Sequence, residues 1–308
     1  MAKHYGLPYM GSKEKHLKVI SYIFDREWNK KYLIDPFCGG FCVSAYALQN
    51  TKFKVLANDL NKYVIALLRE IIFNKSQELS KVWLKWVSRE RFKDVKDNPD
   101  NYPDWYVGFI LTIWSFGNRW GSYLFGKDIE EIKKEAHEYL IKNGYNGNAF
   151  KKCELIKRFK KDKEIINRFE LQQLQQLQQL ERLQQLERLQ QLQQLESMDW
   201  FDFINQIPKE ILEQSFIYGD PPYENTAKYQ VDTMDYVKFW NWFRECPYPV
   251  YVSSYSAPED IKSLRVDIKR SLLSRDKTIK AKEVIYFNEK GKQDTTMFDM
   301  LFNPVNNY

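Results

Sequence analysis

The chain has 308 residues, of which 44% are hydrophobic and 29% are charged, and its formal net charge at pH 7 is +6. This length and balance predict a globular protein with one large core or two modest ones, and they exclude a fibrous or largely disordered chain. No apolar run reaches the roughly 18 residues that a membrane span needs, and the first residues lack the apolar core of a signal peptide, so we expect a cytoplasmic protein.

The first predicted strand ends in a glycine-rich turn. Tyr32, Leu33 and Ile34 form the strand, the turn reads Asp35-Pro36-Phe37-Cys38-Gly39-Gly40, and a helix is predicted from Val43 to Leu48. The turn lacks the G-x-G-x-x-G spacing that brings a pyrophosphate to a helix terminus, and no P-loop lysine follows it. Glycine turns of this kind also occur for packing alone.

The second predicted strand, from Lys54 to Ala57, ends in Asn58-Asp59-Leu60-Asn61 and leads into a helix from Tyr63 to Phe73. Asp59 is placed to accept hydrogen bonds from ribose hydroxyls, although it could instead cap the following helix. With the glycine turn, Asp59 favours a nucleoside-bearing cofactor without phosphates, and S-adenosylmethionine is the obvious candidate. The strand-helix-strand repeat predicts a parallel sheet with a ligand at its carboxyl edge.

A mainly helical segment is predicted from Trp83 to about Ile207, and we interpret it as a separate module. The run Lys151–Lys163 holds seven basic and two acidic side chains, and the later run Lys269–Lys282 holds six and one. Such runs can contact phosphates, but they are also typical of solvated surfaces.

Within that module, leucines recur at a strict interval of three from Leu171 to Leu195, separated by Gln, Glu and Arg. On an α-helix this interval winds around the whole cylinder, which excludes a heptad coiled coil. The residue types still favour a helix. The alternatives are a small solenoid with leucine inside at every third position and an expanded simple repeat of little functional consequence.

The tetrad Asp220-Pro221-Pro222-Tyr223 follows a strand predicted from Ser215 to Tyr218. Two consecutive prolines lack backbone donors and fix φ at about −65°, so the neighbouring carbonyls point outward. The Asp220 carboxylate and the Pro221 carbonyl can accept both protons of an exocyclic amino group, while the Tyr223 ring offers a stacking face. The tetrad thus predicts an amino-substituted base as ligand, with a plain proline-rich turn as the alternative.

Further strands are predicted from Val250 to Ser253, Glu283 to Phe287 and Met297 to Phe302, the last two as an antiparallel pair. Asp35, Asp59 and Asp220 all fall at strand ends, and we expect them along one edge of the sheet. The four cysteines and three histidines show no framework or ligand spacing, so neither disulfides nor a metal site is predicted.

Several motifs, in this order, resemble those of the Dam-type DNA adenine-N6 methyltransferases. They are Tyr9-Met10-Gly11-Ser12-Lys13, the glycine turn, the Asn58–Asn61 segment, a stretch from Ser115 to Gly126 rich in Asn, Gly and Arg, the Asp220 tetrad and Val252-Ser253-Ser254-Tyr255. This order is similar to the alpha arrangement of amino-methyltransferases. The chain has Tyr9 and Met10 where the family usually has Trp and Ala, and Phe41 where a third small residue is common.

The resemblance implies an α/β fold: a Rossmann-like methyltransferase sheet with an inserted, mainly helical DNA-recognition domain. We assign residues 1–82 and 208–308 to the catalytic domain and 83–207, with the repeat at 171–195, to the inserted domain. Duplex DNA is the implied partner, without metal or membrane, and the protein is expected to be bacterial or phage-encoded. The sequence does not indicate whether a restriction endonuclease partner exists.

The resemblance also implies roles for individual residues. The expected catalytic residues are Asp220, Pro221, Pro222 and Tyr223. The residues expected to contact S-adenosylmethionine are Tyr9, Met10, Gly11, Lys13, Asp35, Phe37, Gly39, Gly40, Asp59 and Asn61. The residues expected to contact DNA are Asn118, Arg119, Lys157, Arg158, Lys160 and Lys161.

The implied reaction is methyl transfer to N6 of an adenine flipped out of duplex DNA, held by Tyr223, Asp220 and the Pro221 carbonyl. An enzyme acting on cytosine N4 or on RNA would use the same groups. A non-catalytic DNA-binding or assembly protein that keeps the fold is a further alternative.

Overall fold

The computed structural model describes residues 5–83, 85–143, 191–223, 234–264, 283–288 and 290, which divide between two compact units. The helical unit contains the described residues 5–12, 40–42, 62–83 and 85–143. The sheet unit contains the described residues 13–39, 43–61 and all those from 191 onward. Every strand of the sheet belongs to the sheet unit.

Seven strands within the described residues form one sheet in the order β3-β2-β1-β4-β5-β7-β6. The first five strands of that order are parallel, whereas β7 runs antiparallel to both β5 and β6. The strands are β1 Tyr32–Asp35, β2 Lys54–Asn58, β3 Leu192–Glu196, β4 Ser215–Gly219, β5 Val250–Ser254, β6 Ser263–Leu264 and β7 Val284–Phe287.

The described helices precede or connect these strands along the chain, and five of them follow one another between β2 and β3. They are α1 Leu17–Arg26, α2 Cys42–Asn50, α3 Lys62–Arg69, α4 Gln77–Trp83, α5 Arg89–Asp97, α6 Asp104–Ile113, α7 Glu130–Asn143, α8 Trp200–Gln206, α9 Lys209–Leu212 and α10 Tyr236–Glu245. Short 3-10 turns at Lys13–His16, Pro99–Asn101 and Phe116–Asn118 and a π-helical turn at Glu70–Asn74 complete the helical elements.

Both faces of the sheet are covered by aromatic side chains, as the two central residues of β4 illustrate. Phe216 packs against Phe24 of α1, with ring centroids 5.8 Å apart. Its neighbour Ile217 points to the opposite face and belongs to a buried cluster with Phe239 of α10 and Phe203 of α8. Full burial of each such side chain stabilises the fold by roughly 2–3 kcal/mol. Burial on both faces explains why β4 reads as a continuous apolar run rather than an alternating one.

The helical unit depends on close packing between α3 and α6. A Cβ placed at Gly108 of α6 would lie 2.1 Å from the carbonyl oxygen of Tyr63, so only glycine permits this approach. Leu67, Leu68, Phe109 and Ile110 are fully buried in the same unit. The predicted helix from Tyr63 to Phe73 is confirmed, although its last turn is π-helical.

The strands predicted near Tyr32, Lys54, Ser215, Val250 and Glu283 are all confirmed within a residue or two at each end. The strand predicted from Met297 to Phe302, and with it the expected antiparallel pair, lies outside the described residues. The two-residue strand β6 was not predicted.

The end of the leucine repeat departs from the predicted helix. Leu192–Glu196 is an edge strand, and both Leu192 and Leu195 are buried. Leucines three apart would point to opposite faces of a regular strand. Here, however, the pairing with β2 shifts register: Val55 pairs with Leu192, and the next residue, Leu56, pairs with Gln194. The extra residue is a β-bulge that returns both leucines to one face. Residues 171–190 of the repeat lie outside the described residues.

Residues 192–207 were predicted to belong to the inserted domain, but in the described structure they lie with the sheet. β3 pairs with β2, and Trp200, Phe203 and Ile204 of α8 lie in the core beside the sheet. The described residues from 191 onward all belong to the sheet unit. Among the described helices, none is long and apolar enough to cross a membrane.

Candidate active site

Three aspartates follow neighbouring strands at the carboxyl edge of the sheet, as predicted. Asp35 is the last residue of β1, Asp59 comes directly after β2, and Asp220 directly after β4. The strand order reverses between β1 and β4, since β2 lies on one side of β1 and β4 on the other. Such a switch point opens a crevice at the strand ends, where ligands of open α/β sheets bind.

Burial perturbs the first two carboxyl groups. The pKa of Asp35 is raised to about 7, first because the group is buried and further because Asp220 and Asp59 are negative neighbours. The Ser44 hydroxyl opposes this shift by donating a 2.6 Å hydrogen bond to Asp35 Oδ2. Burial also raises the pKa of Asp59. Burial and the negative neighbours disfavour the ionised form of Asp35, and a cation bound nearby would favour it.

Asp59 ties the glycine turn after β1 to the loop after β2. Its Oδ2 accepts the backbone N–H of Gly39 at 2.8 Å, and its Oδ1 accepts the N–H of Asn61 at 2.9 Å. The first bond fixes the turn, and the second is an Asx turn just ahead of α3. The predicted alternative of a capping role is thus partly realised, and a lone pair on each oxygen remains for a further donor.

Lys13 lies between two carboxylates, the partly buried Asp220 and the buried Glu283. Its Nζ is 2.5 Å from Asp220 Oδ2 and 3.3 Å from Glu283 Oε1, and the side chain is 5% exposed. Burial alone would lower the pKa of Lys13, but the two carboxylates outweigh burial and raise it. The ammonium is therefore charged and held at the Asp220 tetrad.

Tyr223 contacts the same two carboxylates through its hydroxyl. Its hydroxyl lies 2.8 Å from Glu283 Oε1 and 3.0 Å from Asp220 Oδ1, and can donate to either. Its ring packs edge-on against Tyr255, with centroids 4.4 Å apart, and Lys13 Nζ lies 5.2 Å from the ring centre. Nearby, the Tyr236 hydroxyl donates to the Pro222 carbonyl at 2.9 Å. The tetrad is held by its surroundings at both the ring and the backbone.

Burial raises the pKa of Asp220. Lys13 opposes this shift, whereas the negative charge of Glu283 adds to it. For Glu283, burial would raise the pKa, but His16, Lys13 and Tyr223 outweigh it and lower the pKa of this carboxyl. His16 Nδ1 lies 3.1 Å from Glu283 Oε2. Of the two acids, Glu283 is the more firmly ionised.

Sequence reasoning did not find Glu283, His16 or the ring contact of Tyr255. One signal was available for His16, because residues three apart in a 3-10 turn share a face and Lys13 was already a candidate. For Glu283 the only signal was its place at the start of a predicted strand. No local pattern links that strand to the tetrad.

The profile of the D12 class N6 adenine-specific DNA methyltransferase family matches residues 9–245. The chain belongs to this family. It is an adenine-specific DNA methyltransferase, and the family implies a methyl donor of the S-adenosylmethionine type. A comparison with curated proteins gives no match. The matched range contains the glycine turn and the Asp220 tetrad, whereas Glu283 follows it along the chain.

The amino-terminal motif of the methyltransferase divides between the two units. Within the helical unit, a Cβ at Gly40 would lie 2.5 Å from the Tyr9 Cβ, so Tyr9 packs directly on the glycine turn. The Leu7 N–H donates to the Gly40 carbonyl at 2.7 Å, and Met10 and Gly11 continue the chain from Tyr9 as a turn. Lys13 belongs to the sheet unit, where it contacts Asp220.

Phe37 also has a structural contact. Its ring packs against Trp200 and Phe239, with centroids 6.1 and 6.0 Å away, and it is only partly buried. Phe37 therefore closes the core cluster beneath the glycine turn.

Of the residues expected to contact DNA, only Asn118 and Arg119 are described. Asn118 Nδ2 donates to the Thr112 carbonyl at 2.8 Å, which stabilises its own loop. Gly117, Asn118 and Trp120 all have positive φ angles, and Arg119 is exposed. Lys157, Arg158, Lys160 and Lys161 lie outside the described residues. Within the described ranges, no cluster of three His, Cys, Asp or Glu side chains could hold a metal ion.

Proposed function

We propose that this methyltransferase transfers the methyl group of S-adenosylmethionine to N6 of an adenine turned out of duplex DNA. The observation that carries the proposal is the position of Asp220, which stands at the switch point of the sheet with Lys13 and Tyr223 bonded to it. The family acts on N6 of adenine, and the Asp220 carboxylate can accept an amino proton of that base.

The strand-end carboxylates suit the proposed cofactor. Each oxygen of Asp59 accepts one backbone N–H and keeps a lone pair for a ribose hydroxyl. Asp35 is buried with a raised pKa, and a cationic ligand nearby would stabilise its charged form. When bound, S-adenosylmethionine supplies an electrophilic methyl group on a sulfonium.

The cofactor contacts remain those expected from the resemblance, with one refinement. We retain Asp35, Asp59, Phe37, Gly39 and Asn61 in the sheet unit, and Tyr9, Met10, Gly11 and Gly40 in the helical unit. Lys13 was expected to contact the cofactor. Its 2.5 Å contact with Asp220 supports an additional role, which is to keep that carboxylate ionised.

The adenine is proposed to bind at the tetrad. It cannot be reached inside a duplex, so it must be flipped out at a cost of a few kcal/mol. The second lone pairs of Asp220 and the Pro221 carbonyl accept the N6 protons, and Tyr223 stacks on the ring. These acceptors draw the amino nitrogen out of conjugation and stabilise the positive charge that develops on it.

We further propose that the helical unit recognises DNA. The exposed Arg119, on a loop whose backbone is fixed by Asn118, suits a phosphate or base contact. Lys157, Arg158, Lys160 and Lys161 are proposed as phosphate contacts from their charge alone.

The test compares the wild type with the Asp220→Ala variant on unmethylated duplex DNA and S-adenosylmethionine, with digestion to nucleosides and mass spectrometry of the products. Asp202→Ala, at an exposed position on α8, is the matched control. We expect N6-methyladenine from the wild type and the control, and at least a hundredfold less from Asp220→Ala.

Other products would overturn parts of the proposal. N4-methylcytosine would show that the base is wrong, and methylation of RNA alone would show that the nucleic acid is wrong. The absence of any methylated base with wild-type protein would favour a non-catalytic binding protein. Full activity of Asp220→Ala would remove Asp220 from the mechanism.

A further inference from the structure

From this geometry we infer that Glu283 is a positioning residue of the methyl-transfer site, fixing the Tyr223 ring and the Lys13 ammonium beside Asp220. The inference rests on the proposed function, since it assigns a role within the same site. Glu283 lies beyond the residues matched by the family profile. Only the folding of the chain brings Glu283 to the site.

The two oxygens of Glu283 contact three side chains from two separate segments. Oε1 lies 2.8 Å from the Tyr223 hydroxyl and 3.3 Å from Lys13 Nζ, while Oε2 lies 3.1 Å from His16 Nδ1. Tyr223 follows β4, and Lys13 and His16 share the 3-10 turn ahead of α1. Glu283 therefore joins the amino-terminal turn to the catalytic tetrad.

The position of Glu283 is itself fixed by the sheet. It immediately precedes β7, whose residue Val284 pairs with Ser254 of β5. Its side chain is 10% exposed, and Lys13 beside it is 5% exposed. A carboxylate held at this depth is costly unless its partners remain in place, so the contacts constrain one another.

The arrangement suits placement of the tetrad ring. Tyr223 has only two side-chain torsions, and the ring is already packed on one side by Tyr255. A hydrogen bond from the Tyr223 hydroxyl to Glu283 restricts the remaining rotation of the ring. Displacement of a catalytic group by about 1 Å can cost on the order of a hundredfold in rate.

Glu283 also acts on Asp220 through charge. The groups that face this pair are Lys13, His16, Tyr218, Tyr223, Tyr255 and Asp35. Lys13 lowers the pKa of Asp220, whereas Glu283 raises it. Removing the charge of Glu283 while Lys13 and Tyr223 stay in place should therefore favour the ionised form of Asp220.

The experiment uses Glu283→Gln, which keeps the shape and one acceptor, and Glu283→Ala, which keeps neither. Initial rates are measured over a range of pH with saturating S-adenosylmethionine and varied duplex DNA. For Glu283→Ala we expect kcat to fall about ten- to a hundredfold, with a much smaller change in KM for DNA. For Glu283→Gln we expect a smaller loss of kcat, and the acidic limb of the rate profile should move to lower pH.

Glu259→Gln is the matched control, because Glu259 is exposed in the same unit. It should leave kcat and the acidic limb unchanged. Thermal unfolding establishes that each variant is folded at the assay temperature, and if Glu283→Ala is not, the isosteric Gln variant carries the test.

Wild-type kcat for both Glu283 variants would overturn the inference, as would an acidic limb that stays in place or moves to higher pH in Glu283→Gln. A loss confined to KM would also overturn it, because that pattern indicates a binding contact rather than positioning. If the wild type itself produces no N6-methyladenine, the proposed function has failed instead, so the two failures are distinguishable.

Discussion

Asp35, which is buried, and Asp220, which is partly buried, are carboxylates at the ends of adjacent strands, yet their partners differ in charge. Asp35 is held by a neutral donor, the Ser44 hydroxyl at 2.6 Å. Asp220 faces the Lys13 ammonium at 2.5 Å, with Glu283 as a second carboxylate on the same lysine. Position at a strand end thus creates two different sites: one with neutral donors and one in which the protein itself supplies a cation.

Under the proposed function, the two sides of the crevice have different roles. The donors to Asp35 and Asp59 are neutral, so a cofactor that brings its own positive charge would favour the ionised form of these carboxyl groups. On the Asp220 side the protein supplies the cation, so the carboxylate is available to accept hydrogen bonds from a neutral base. Substitutions that change charge on the two sides should therefore have different effects.

The largest effect is expected from Lys13→Met. Because Lys13 lowers the pKa of Asp220, its loss should raise that pKa and move the acidic limb of the rate profile to higher pH. This direction is opposite to that expected for Glu283→Gln. We expect kcat near neutral pH to fall about a hundredfold or more, since an uncompensated buried carboxylate also disturbs the site.

Lys15→Met, on the same turn at an exposed position, is the control for that measurement. It should leave both the rate and the profile unchanged. An acidic limb that does not move in Lys13→Met would show that the lysine has no electrostatic control over the reacting carboxylate.

An intermediate effect is expected from Asp59→Asn. The amide has one acceptor oxygen, so it cannot accept both the Gly39 and Asn61 N–H groups and also bind a ribose hydroxyl. Isothermal titration should show S-adenosylmethionine binding weakened about ten- to a hundredfold, as for the loss of a hydrogen bond to a charged group. Asp202→Asn should bind the cofactor as the wild type does, and equal affinity in all three proteins would remove Asp59 from the cofactor site.

The smallest expected effect is on the stability of Asp35→Asn. The pKa of Asp35 is raised from 3.8 to about 7, so as pH rises the unfolded chain releases this proton before the folded one does. The folded wild type therefore loses stability from about pH 4 to about pH 7, and the amide does not. We expect the variant to melt a few degrees higher at pH 7.5 and at the same temperature near pH 4.

Asp220→Asn tests the contrast. Burial raises the pKa of Asp220 as well, so the amide removes a charge that destabilises the fold at pH 7.5, but it also leaves the buried Lys13 with one carboxylate fewer. That variant should therefore melt at a lower temperature than Asp35→Asn at pH 7.5. If the two variants raise the melting temperature equally, the proposed difference between the two carboxylates is wrong.

Much of the sheet could be predicted because its signals are local. The apolar runs at β1, β2 and β4 end at Asp35, Asp59 and Asp220, and the prolines and glycines that follow restrict the backbone without help from distant residues. The leucine repeat shows the limit of such reasoning. Its residues favour a helix, but Leu192–Glu196 pairs with β2, and the bulge there has no local signal.

The three strand-end acids, the glycine turn and the tetrad could be predicted from the sequence, because each depends on backbone chemistry within a few residues. The side chains that surround Asp220 come together only in the folded sheet. Lys13 begins the first helical turn of the sheet unit and contacts Asp220. Glu283 precedes the last described strand and lies beside Lys13 and Tyr223, because β7 pairs with β5 at the same edge. Contacts between distant segments arise from strand order, and strand order is settled by packing of the whole sheet.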